Sequence, residues 1–407
     1  MSSPTPVQDL QLPSIELDVD ANRDDRIRAV EAAQAQHWLA RGFFGYAVTH
    51  YDDVVAILRD RRWHNAAILA VDLAGVDDPA FTRPRPSILT MEGDDHTRLR
   101  RLVAPAFSPR SADRLRPYMR EVINGLVDRI TVTGRCEFVR DICEPYPIPI
   151  ICELLGAPKE DWQLFSRWAS DLLRIFNFNL REEFPLVAQA SRELDDYSRR
   201  MIERRRSQPA DDLLTELIAA EESGDRLSED ELLSMVNAVI VGGTDTTRNQ
   251  LACTVALLTS YPDQWALLAD RPELASRAVE ESMRYLGAIR GTIRLASEDI
   301  VYREVLFPKG TLVATVTSAA NREGSIWDEP HRFDITREPV GQPQLTFGSG
   351  IHYCLGASLA RAELQEALPI LAQRMPNLAV DGEITWKPDG VGIWGPDRLP
   401  LRFTPSA

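Results

Sequence analysis

The stretch Leu345-Thr-Phe-Gly-Ser-Gly-Ile-His-Tyr-Cys-Leu-Gly356 decides the fold. Cys354 stands just before a run with helical spacing, so its sulfur is predicted to lie at a helix N-terminus, where the dipole and free N–H groups favour a thiolate. Gly348 permits a tight loop, Gly356 allows a large planar ligand to approach, and Phe347 is expected to cover the far side of the sulfur. The apolar positions of the run are Leu355, Leu359, Ala362, Leu364, Ala367 and Leu368.

A buried thiolate needs a cation beside it, so this loop indicates a metal. A single cysteine cannot complete a tetrahedral zinc or iron–sulfur site, whereas one thiolate suits haem iron. Taken alone, Cys354 would more often be a small buried apolar residue. The whole Phe-Gly-Ser-Gly-x-His-x-Cys-Leu-Gly string is more specific, and it resembles the haem-binding loop of the cytochrome P450 family. The resemblance implies that Cys354 binds the iron of haem b, and that Phe347, Gly348, His352 and Gly356 contact this cofactor.

A second motif places a histidine and an arginine on one helix face. His96 and Arg100 are four residues apart in a segment with a helical pattern. A face with a neutral donor and a guanidinium can bind paired carboxylates, although a basic helix is by itself more often a solvated surface. The string His96-Thr-Arg-Leu-Arg100 resembles the family's C-helix. The resemblance implies that His96, Arg100, Arg294 and His352 share the two haem propionates.

A third motif weakens a long helix at its centre. The predicted helix begins with a capping box at Ser228 and carries Val241-Gly-Gly-Thr-Asp-Thr-Thr247 in its middle. Each interior glycine costs about 1 kcal/mol relative to alanine, and such weakness often marks a functional interruption. For the glycines alone, a close helix–helix contact is the preferred alternative. With the polar residues attached, the segment resembles the family's oxygen-binding groove, which implies a cofactor contact at Gly242 and a catalytic proton relay through Asp245 and Thr246.

The resemblance extends to the middle of the C-terminal half. Glu281 and Arg284 form an i, i+3 pair, which is ordinarily a surface ion pair. The same spacing is the Glu-x-x-Arg motif with which the family braces the thiolate side of the haem, and Arg332 fits the third member of that brace. Ala288 stands where relatives usually carry proline, which departs from the family pattern.

Several segments are assigned to a substrate pocket. Residues 65–89 show no regular pattern and are predicted to form a substrate-contacting loop, with disorder as the alternative. An aromatic-rich segment before the connection at 177–183 is predicted to give the pocket an apolar roof. Arg290 is a candidate partner for a ligand carboxylate, with solvent or a propionate as the preferred alternative. The resemblance implies a pocket lined by Leu89, Ala238, Val241, Ile289, Thr292 and Ile393.

Composition limits the function classes. The 407 residues are 44% hydrophobic, ample for a large core, and the net charge of -15 argues against nucleic acid and anionic membranes. Five cysteines without a CxxC pair favour a reducing compartment. No signal-like start and no apolar run of bilayer length are present. We therefore expect a cytoplasmic monomer without a membrane anchor, built from an extended N-terminal arm (1–20) and one domain (21–407).

Together the motifs imply the cytochrome P450 fold, a mainly α triangular helical prism with a small β region around a buried haem. The implied function is that of a soluble bacterial haem-thiolate monooxygenase, which inserts one oxygen atom from O2 into a lipophilic small molecule by hydroxylation or a related oxidation. Electrons would come from NAD(P)H through a ferredoxin reductase and a ferredoxin, with Arg98, Arg101 and Arg361 as candidate docking residues. A peroxide-driven enzyme and a non-enzymatic haem-thiolate sensor or carrier are the alternatives, and neither needs the relay of Asp245 and Thr246.

Overall fold

The structure is a computed structural model that describes residues 3–15, 23–43, 45–69, 75, 86–176, 179–222, 227–387 and 392–405. Most of the predicted loop at 65–89, the first two residues of the connection at 177–183 and part of the arm at 1–20 lie outside these ranges.

Helices dominate the described chain. They are α1 (Arg23–Gln34), α2 (Tyr51–Arg59), α3 (Gly93–Val103), α4 (Pro109–Asp128), α5 (Pro147–Leu155), α6 (Trp162–Leu173), α7 (Leu180–Ser207), α8 (Leu213–Glu222), α9 (Glu229–Gly242), α10 (Asp245–Leu258), α11 (Pro262–Asp270), α12 (Ala275–Leu286), α13 (Thr317–Ala320) and α14 (Ala357–Arg374). Helix α10 is buried on almost every side, which explains its mainly apolar sequence from Leu251 to Leu258. It packs against α12 and α14 and forms the centre of the main hydrophobic core.

Short strands form small sheets at the edges of the helical part. They are β1 (Thr5–Pro6), β2 (Leu39–Gly42), β3 (Gly45–Val48), β4 (Trp63–Asn65), β5 (Arg135–Glu137), β6 (Thr292–Ala296), β7 (Ile300–Tyr302), β8 (Val305–Phe307), β9 (Leu312–Thr315), β10 (Ala379–Val380), β11 (Thr385–Trp386), β12 (Pro396–Arg398) and β13 (Pro400–Arg402). The largest sheet has the order β2-β3-β9-β6-β4, with β3 and β9 parallel. A second apolar core lies between this sheet and α2. The predicted class, mainly α with a small β region, is confirmed.

Local sequence signals explain where the site-bearing helices begin and end. The Ser228 hydroxyl accepts from the Glu231 N–H, and the Glu231 carboxylate accepts from the Ser228 N–H, so the predicted capping box is confirmed. The predicted interruption is also confirmed, because α9 ends at Gly242 and α10 begins at Asp245. Within the described residues, none of the helices combines the length and apolar character that crossing a bilayer requires.

Candidate active site

The loop before α14 holds Cys354 in a fixed position. The Cys354 N–H donates to the Phe347 carbonyl at 2.9 Å, and α14 begins three residues later, as the sequence predicted. Gly348 has a φ of 72° and Gly350 a φ of 74°, in the left-handed region that favours glycine. A Cβ on Gly350 would lie 2.1 Å from the Leu58 carbonyl oxygen, so this loop fits against α2 only with glycine there.

The surroundings of the Cys354 thiol oppose an isolated thiolate. The Cys354 side chain is solvent-accessible, but protein atoms surround it closely. This desolvation raises the pKa of the thiol, while the Gly356 N–H and the guanidinium groups of Arg100 and Arg361 act in the opposite direction. Desolvation prevails, so a thiolate here needs a further cation such as a metal ion. Phe347 packs beside the loop, with the Arg361 guanidinium 4.5 Å from its ring centre.

Histidine and arginine side chains gather beside this loop. The His96 and His352 rings lie 4.6 Å apart, and the Arg100 guanidinium donates to the Tyr353 carbonyl at 2.7 Å. Burial, with the neighbouring His352 and Arg100 charges, lowers the pKa of His96 to about 4, so its ring is neutral at pH 7. The buried Nε2 of His96 has no hydrogen-bond partner. It is therefore free to donate to a ligand.

Arg294 brings a buried charge to the same cluster from β6. Burial lowers its pKa to about 10, and the one charged group that raises this pKa is Glu92. Its guanidinium donates to the carbonyl of its neighbour Ile293 at 3.2 Å. A buried guanidinium with no bidentate carboxylate is costly, so the site calls for an anionic ligand.

Glu92 is a member of this cluster that sequence reasoning missed. Its Oε1 accepts from the Asn65 N–H at 2.7 Å and lies 3.0 Å from Nε2 of His352. Burial raises the pKa of Glu92, but these two hydrogen bonds outweigh burial and leave the pKa below its usual value. One nitrogen of His352, a predicted propionate ligand, is thus already engaged. The only sequence signal was an acid four residues before His96.

The residues present fit a haem on independent grounds. A thiol that needs a cation lies beside Arg100, and the buried groups of His96 and Arg294 suit a ligand with two carboxylates. A Cβ built on Gly348 or on Gly242 meets no heavy atom within 4 Å, so both glycines border open space. A Cβ on Gly356 meets only Cys354 Sγ, at 4.0 Å.

The interruption between α9 and α10 exposes polar groups beside Gly242. The Thr246 hydroxyl donates to the Gly242 carbonyl at 3.0 Å. In a regular helix this carbonyl would accept from the backbone N–H of Thr246 instead. The Thr244 hydroxyl turns back to the Ile240 carbonyl at 2.9 Å. A Cβ on Gly243 would lie 2.6 Å from Ile151, so close helix packing explains one of the two glycines.

The Asp245 carboxylate is buried, and its Oδ1 takes part in an ion pair but in no hydrogen bond among the described residues. It pairs with Arg248 one turn later, accepts from Asn249 Nδ2 at 3.0 Å, and lies 3.5 Å from Nζ of Lys387. Among the residues that the structure describes, no hydrogen bond joins this carboxylate to the Thr246 hydroxyl. The side chains of the two predicted relay residues are therefore not hydrogen-bonded to each other, although the residues are adjacent in sequence.

The predicted brace is present, but one of its members is corrected. Arg284 and Glu281 form a two-bond ion pair that is almost completely buried, so the surface alternative is wrong. The assignment of the Arg332 side chain is also wrong, because this side chain is 59% exposed and pairs with Glu329 and Asp334. Arg337 takes the third place, with Nε 3.1 Å from Glu281 Oε1. Arg332 contributes only its carbonyl, which accepts from Arg284 and Arg337.

The predicted pocket residues lie in different places. Ile289 and Thr292 line a cavity of about 260 Å³ that also borders Arg290 and Trp394, and the Arg290 guanidinium lies 4.8 Å from the Trp394 ring centre. Ala238 and Val241 are half-buried on α9, and Ile393 is half-buried before Trp394. Leu89 is 55% exposed. The joint pocket stays a prediction.

The three candidate docking arginines differ in their surroundings. Arg98 pairs with Glu231 and Asp95, and Arg361 pairs with Glu280. Arg101 is exposed on α3.

Comparisons with known proteins bear on the whole chain. A family model described as cytochrome P450 matches residues 159–268 and 263–375. A mycinamicin IV hydroxylase/epoxidase from Micromonospora griseorubida is 37% identical over 371 residues, covering 88% of this chain and 89% of the relative. A vitamin D(3) 25-hydroxylase from Pseudonocardia autotrophica is 35% identical over 395 residues, covering 94% and 92%. The crystal structure of the myxobacterial CYP267B1 in complex with myristic acid aligns with a TM-score of 0.85 and 34% identity, covering 94% of this chain and 97% of that one.

Proposed function

The chain belongs to the cytochrome P450 family, and from that premise we propose that Cys354 would supply the thiolate ligand of its haem b and that its substrate is a lipophilic small molecule. Family membership confirms the predicted fold, the monooxygenase activity and the cysteine-ligated haem b. Family membership also implies that the reaction uses O2 and a redox partner. The identity of the ligand, of the cofactor-binding residues and of the relay belongs to the proposal.

One observation carries the site assignment: the Cys354 thiol lies in one cluster with the unpartnered Nε2 of His96 and the buried guanidinium of Arg294, a donor set that suits a metal ion together with two carboxylates. When bound, the haem supplies the centre at which O2 is reduced and from which one oxygen atom passes to the substrate. Cys354 would hold the iron as a thiolate. His96, Arg100 and Arg294 would bind the propionates, with help from the remaining donor of His352.

The interrupted helix supplies protons. The Thr246 hydroxyl, now donating to the Gly242 carbonyl, can rotate and donate to a ligand in the open space beside Gly242. Asp245 is the carboxylic acid nearest in sequence that can replace the donated proton, and its side chain is buried beside the helix interruption. A turn of its side chain or one bridging water would connect the two groups.

A lipophilic substrate is supported by the relatives. One relative is a hydroxylase of vitamin D(3), and one structural neighbour holds myristic acid, which are both largely apolar molecules. In this chain Ile289 borders a mainly apolar cavity with Ile293, Val316 and Trp394, but the lining of this cavity includes neither Cys354 nor Gly242 nor Thr246. Ala238, Val241 and Ile393, with Leu89 at the end of the loop, are the further proposed contacts.

A ferredoxin is the proposed electron donor, because the family needs a redox partner and this chain is similar to bacterial members of it. Arg101 is the exposed candidate contact, whereas Arg98 and Arg361 would have to exchange their present carboxylate partners.

A reconstituted assay tests this function. The haem-loaded protein is first screened for spectral shifts with steroids, terpenes, fatty acids and aromatics, and the compounds that bind are incubated with NADPH, a ferredoxin and its reductase. We expect product formation that needs O2, reductant and ferredoxin together. Product formed equally well from hydrogen peroxide alone would support the peroxide-driven alternative, and binding without any O2 consumption would support a sensor or carrier.

A further inference from the structure

Lys387 is an unusual cation in this chain. It is one of only three lysines, with Lys159 and Lys309, among 46 basic residues of which the rest are arginine. Its side chain is 23% exposed, and its Nζ lies 3.5 Å from Oδ2 of the buried Asp245. Burial lowers the pKa of Lys387, and the Asp245 carboxylate acts in the opposite direction. The Asp245 carboxylate therefore favours the charged form of Lys387 in this position.

The backbone of Lys387 is fixed within the C-terminal hairpin of β11 and β12. Its N–H donates to the Gly395 carbonyl at 3.0 Å, and its carbonyl accepts from Trp394 Nε1 at 3.1 Å. The Trp386 and Trp394 rings stack at 4.5 Å, which stiffens both sides of the hairpin. The hairpin thus presents Lys387 at a defined place instead of on a flexible surface segment.

The hairpin also packs so closely against α10 that no side chain would fit at Gly395. A Cβ on Gly395 would lie 2.7 Å from Oδ1 of Asn249. Asn249 in turn donates to both the backbone carbonyl and Oδ2 of Asp245, at 2.7 and 3.0 Å. The position of the Asp245 carboxylate is therefore set from two sides by the same hairpin, directly through Lys387 and indirectly through Asn249.

Two further charged groups complete the surroundings. Arg248 pairs with Asp245 from α10 and also lies 3.6 Å from Oε1 of Glu144, which is 35% exposed. On the other side, Asp397 of β12 adds a weaker attraction to Lys387. Arg248 thus has a second carboxylate available when Asp245 moves, whereas Lys387 has only the more distant Asp397.

We propose that Lys387 is a positioning residue of the proton relay, which with Arg248 holds the Asp245 carboxylate away from Thr246 and so controls when this acid can take up and pass on a proton. The inference rests on the relay role proposed above for Asp245 and Thr246. It follows that removal of the ammonium leaves Arg248 as the one cationic partner of the Asp245 carboxylate among the described residues.

Two equilibrium titrations test the proposal on the haem-loaded protein. The ferrous-carbonyl form is used because it is diamagnetic and needs no substrate. With lysine labelled by ¹³C at Cε, the NMR spectrum has three lysine resonances, and Lys387→Arg identifies one of them. We expect Asp245→Asn to lower the titration midpoint of Lys387 by about one to three pH units and to leave Lys309 unchanged. A titration midpoint of Lys387 that is unchanged by Asp245→Asn would overturn the proposal.

The second titration follows Asp245 itself. Infrared difference spectra against Asp245→Asn identify the band of its protonated carboxyl group. We expect Lys387→Met to raise the pH at which this band disappears by about one to three units, Lys387→Arg to restore the original value, and the exposed control Lys309→Met to have no effect. An unchanged Asp245 titration in Lys387→Met means that Lys387 is only structural. A failed proposed function would instead appear as a missing thiolate-type carbonyl spectrum or as absent monooxygenation, which neither titration measures.

Discussion

Nε of Arg337 lies 3.1 Å from Oε1 of Glu281, inside the ion cluster that also holds Arg284. Both Glu281 and Arg284 are nearly inaccessible to solvent, and the Arg284 guanidinium also donates to the carbonyls of Asn321, Pro330 and Arg332. Every donor of Arg284 is thus used: two bonds go to Glu281 within α12, and three join α12 to the segment before the Cys354 loop. The cluster braces that segment from the side of α12.

A pair of variants separates the two arginines of this segment. Arg337→Met should lower the free energy of unfolding by about 1.5–3 kcal/mol, because a charge-assisted hydrogen bond to the buried Glu281 carboxylate is lost. Arg332→Met should change it little, because its exposed ion pairs contribute little and its carbonyl is retained. Urea unfolding of both proteins is the measurement. Equal losses in the two variants would contradict the corrected brace.

Short sequence motifs correctly predicted the features that residues close together in the chain form among themselves. The helix break follows from the glycines at 242 and 243, and the pairing of Glu281 with Arg284 follows from their spacing on one helix. Arg337 could not be distinguished from Arg332 in this way, because which side chain turns inward depends on the packing of an irregular segment. Long-range packing decides such choices.

The same limit applies within the site. Glu92 reaches His352, and Lys387 reaches Asp245, across 260 and 142 positions of the chain. No spacing rule connects residues so far apart. An acid before a helix and a lysine after a short strand are individually unremarkable, and only the fold gives them their partners.

The ligand assignment gives a direct spectroscopic prediction. In wild-type protein the ferrous-carbonyl complex should show the strongly red-shifted Soret band of thiolate ligation, and Cys354→His should abolish it, because a neutral imidazole replaces the anionic sulfur. The control is Cys136→Ala, at a half-buried cysteine in β5. An unchanged band in Cys354→His would remove Cys354 from the site.

The propionate assignment predicts loss of haem. Arg100→Met combined with Arg294→Met removes two charged donors, each worth about 1.5–3 kcal/mol, so haem should bind roughly 100-fold more weakly or worse. Transfer of haem to apomyoglobin measures the loss. Arg101→Met, which lies on the same helix but is exposed, is the matched control. Wild-type haem retention in the double variant would refute the assignment.

Arg290 allows a test of ligand charge. The Arg290 guanidinium lies over Trp394 at the cavity wall. If it pairs with a ligand carboxylate, Arg290→Ala should weaken the binding of myristic acid by about tenfold or more and leave the binding of its methyl ester unchanged. Spectral titration of both ligands gives the comparison. Equal affinities before and after the substitution would end this idea, and loss of haem from Arg290→Ala would favour a propionate contact.

The proposed relay gives the most specific prediction, because Thr246→Ala and Asp245→Asn should impair the reaction in different ways. Thr246→Ala removes the hydroxyl that now donates to the Gly242 carbonyl, but it leaves the cofactor-binding residues and the pocket intact. The ferrous-carbonyl spectrum and substrate affinity should therefore stay near those of wild type. Without a positioned donor, reducing equivalents should pass into hydrogen peroxide and the fraction of NAD(P)H that yields product should fall severalfold.

Asp245→Asn should behave differently, since the Thr246 hydroxyl remains in place and only its supply of protons is impaired. We expect slower turnover, by the 10²-fold or so that general acids typically contribute, with less loss of coupling than in Thr246→Ala. The amide also cannot pair with Arg248 and Lys387, so part of the effect will be a looser hairpin, which Lys387→Met alone reproduces. NAD(P)H consumed, peroxide released and product formed are measured in one reaction for all three variants. Product formation with wild-type coupling in Thr246→Ala would mean that protons reach the oxygen by a route that does not use this helix break.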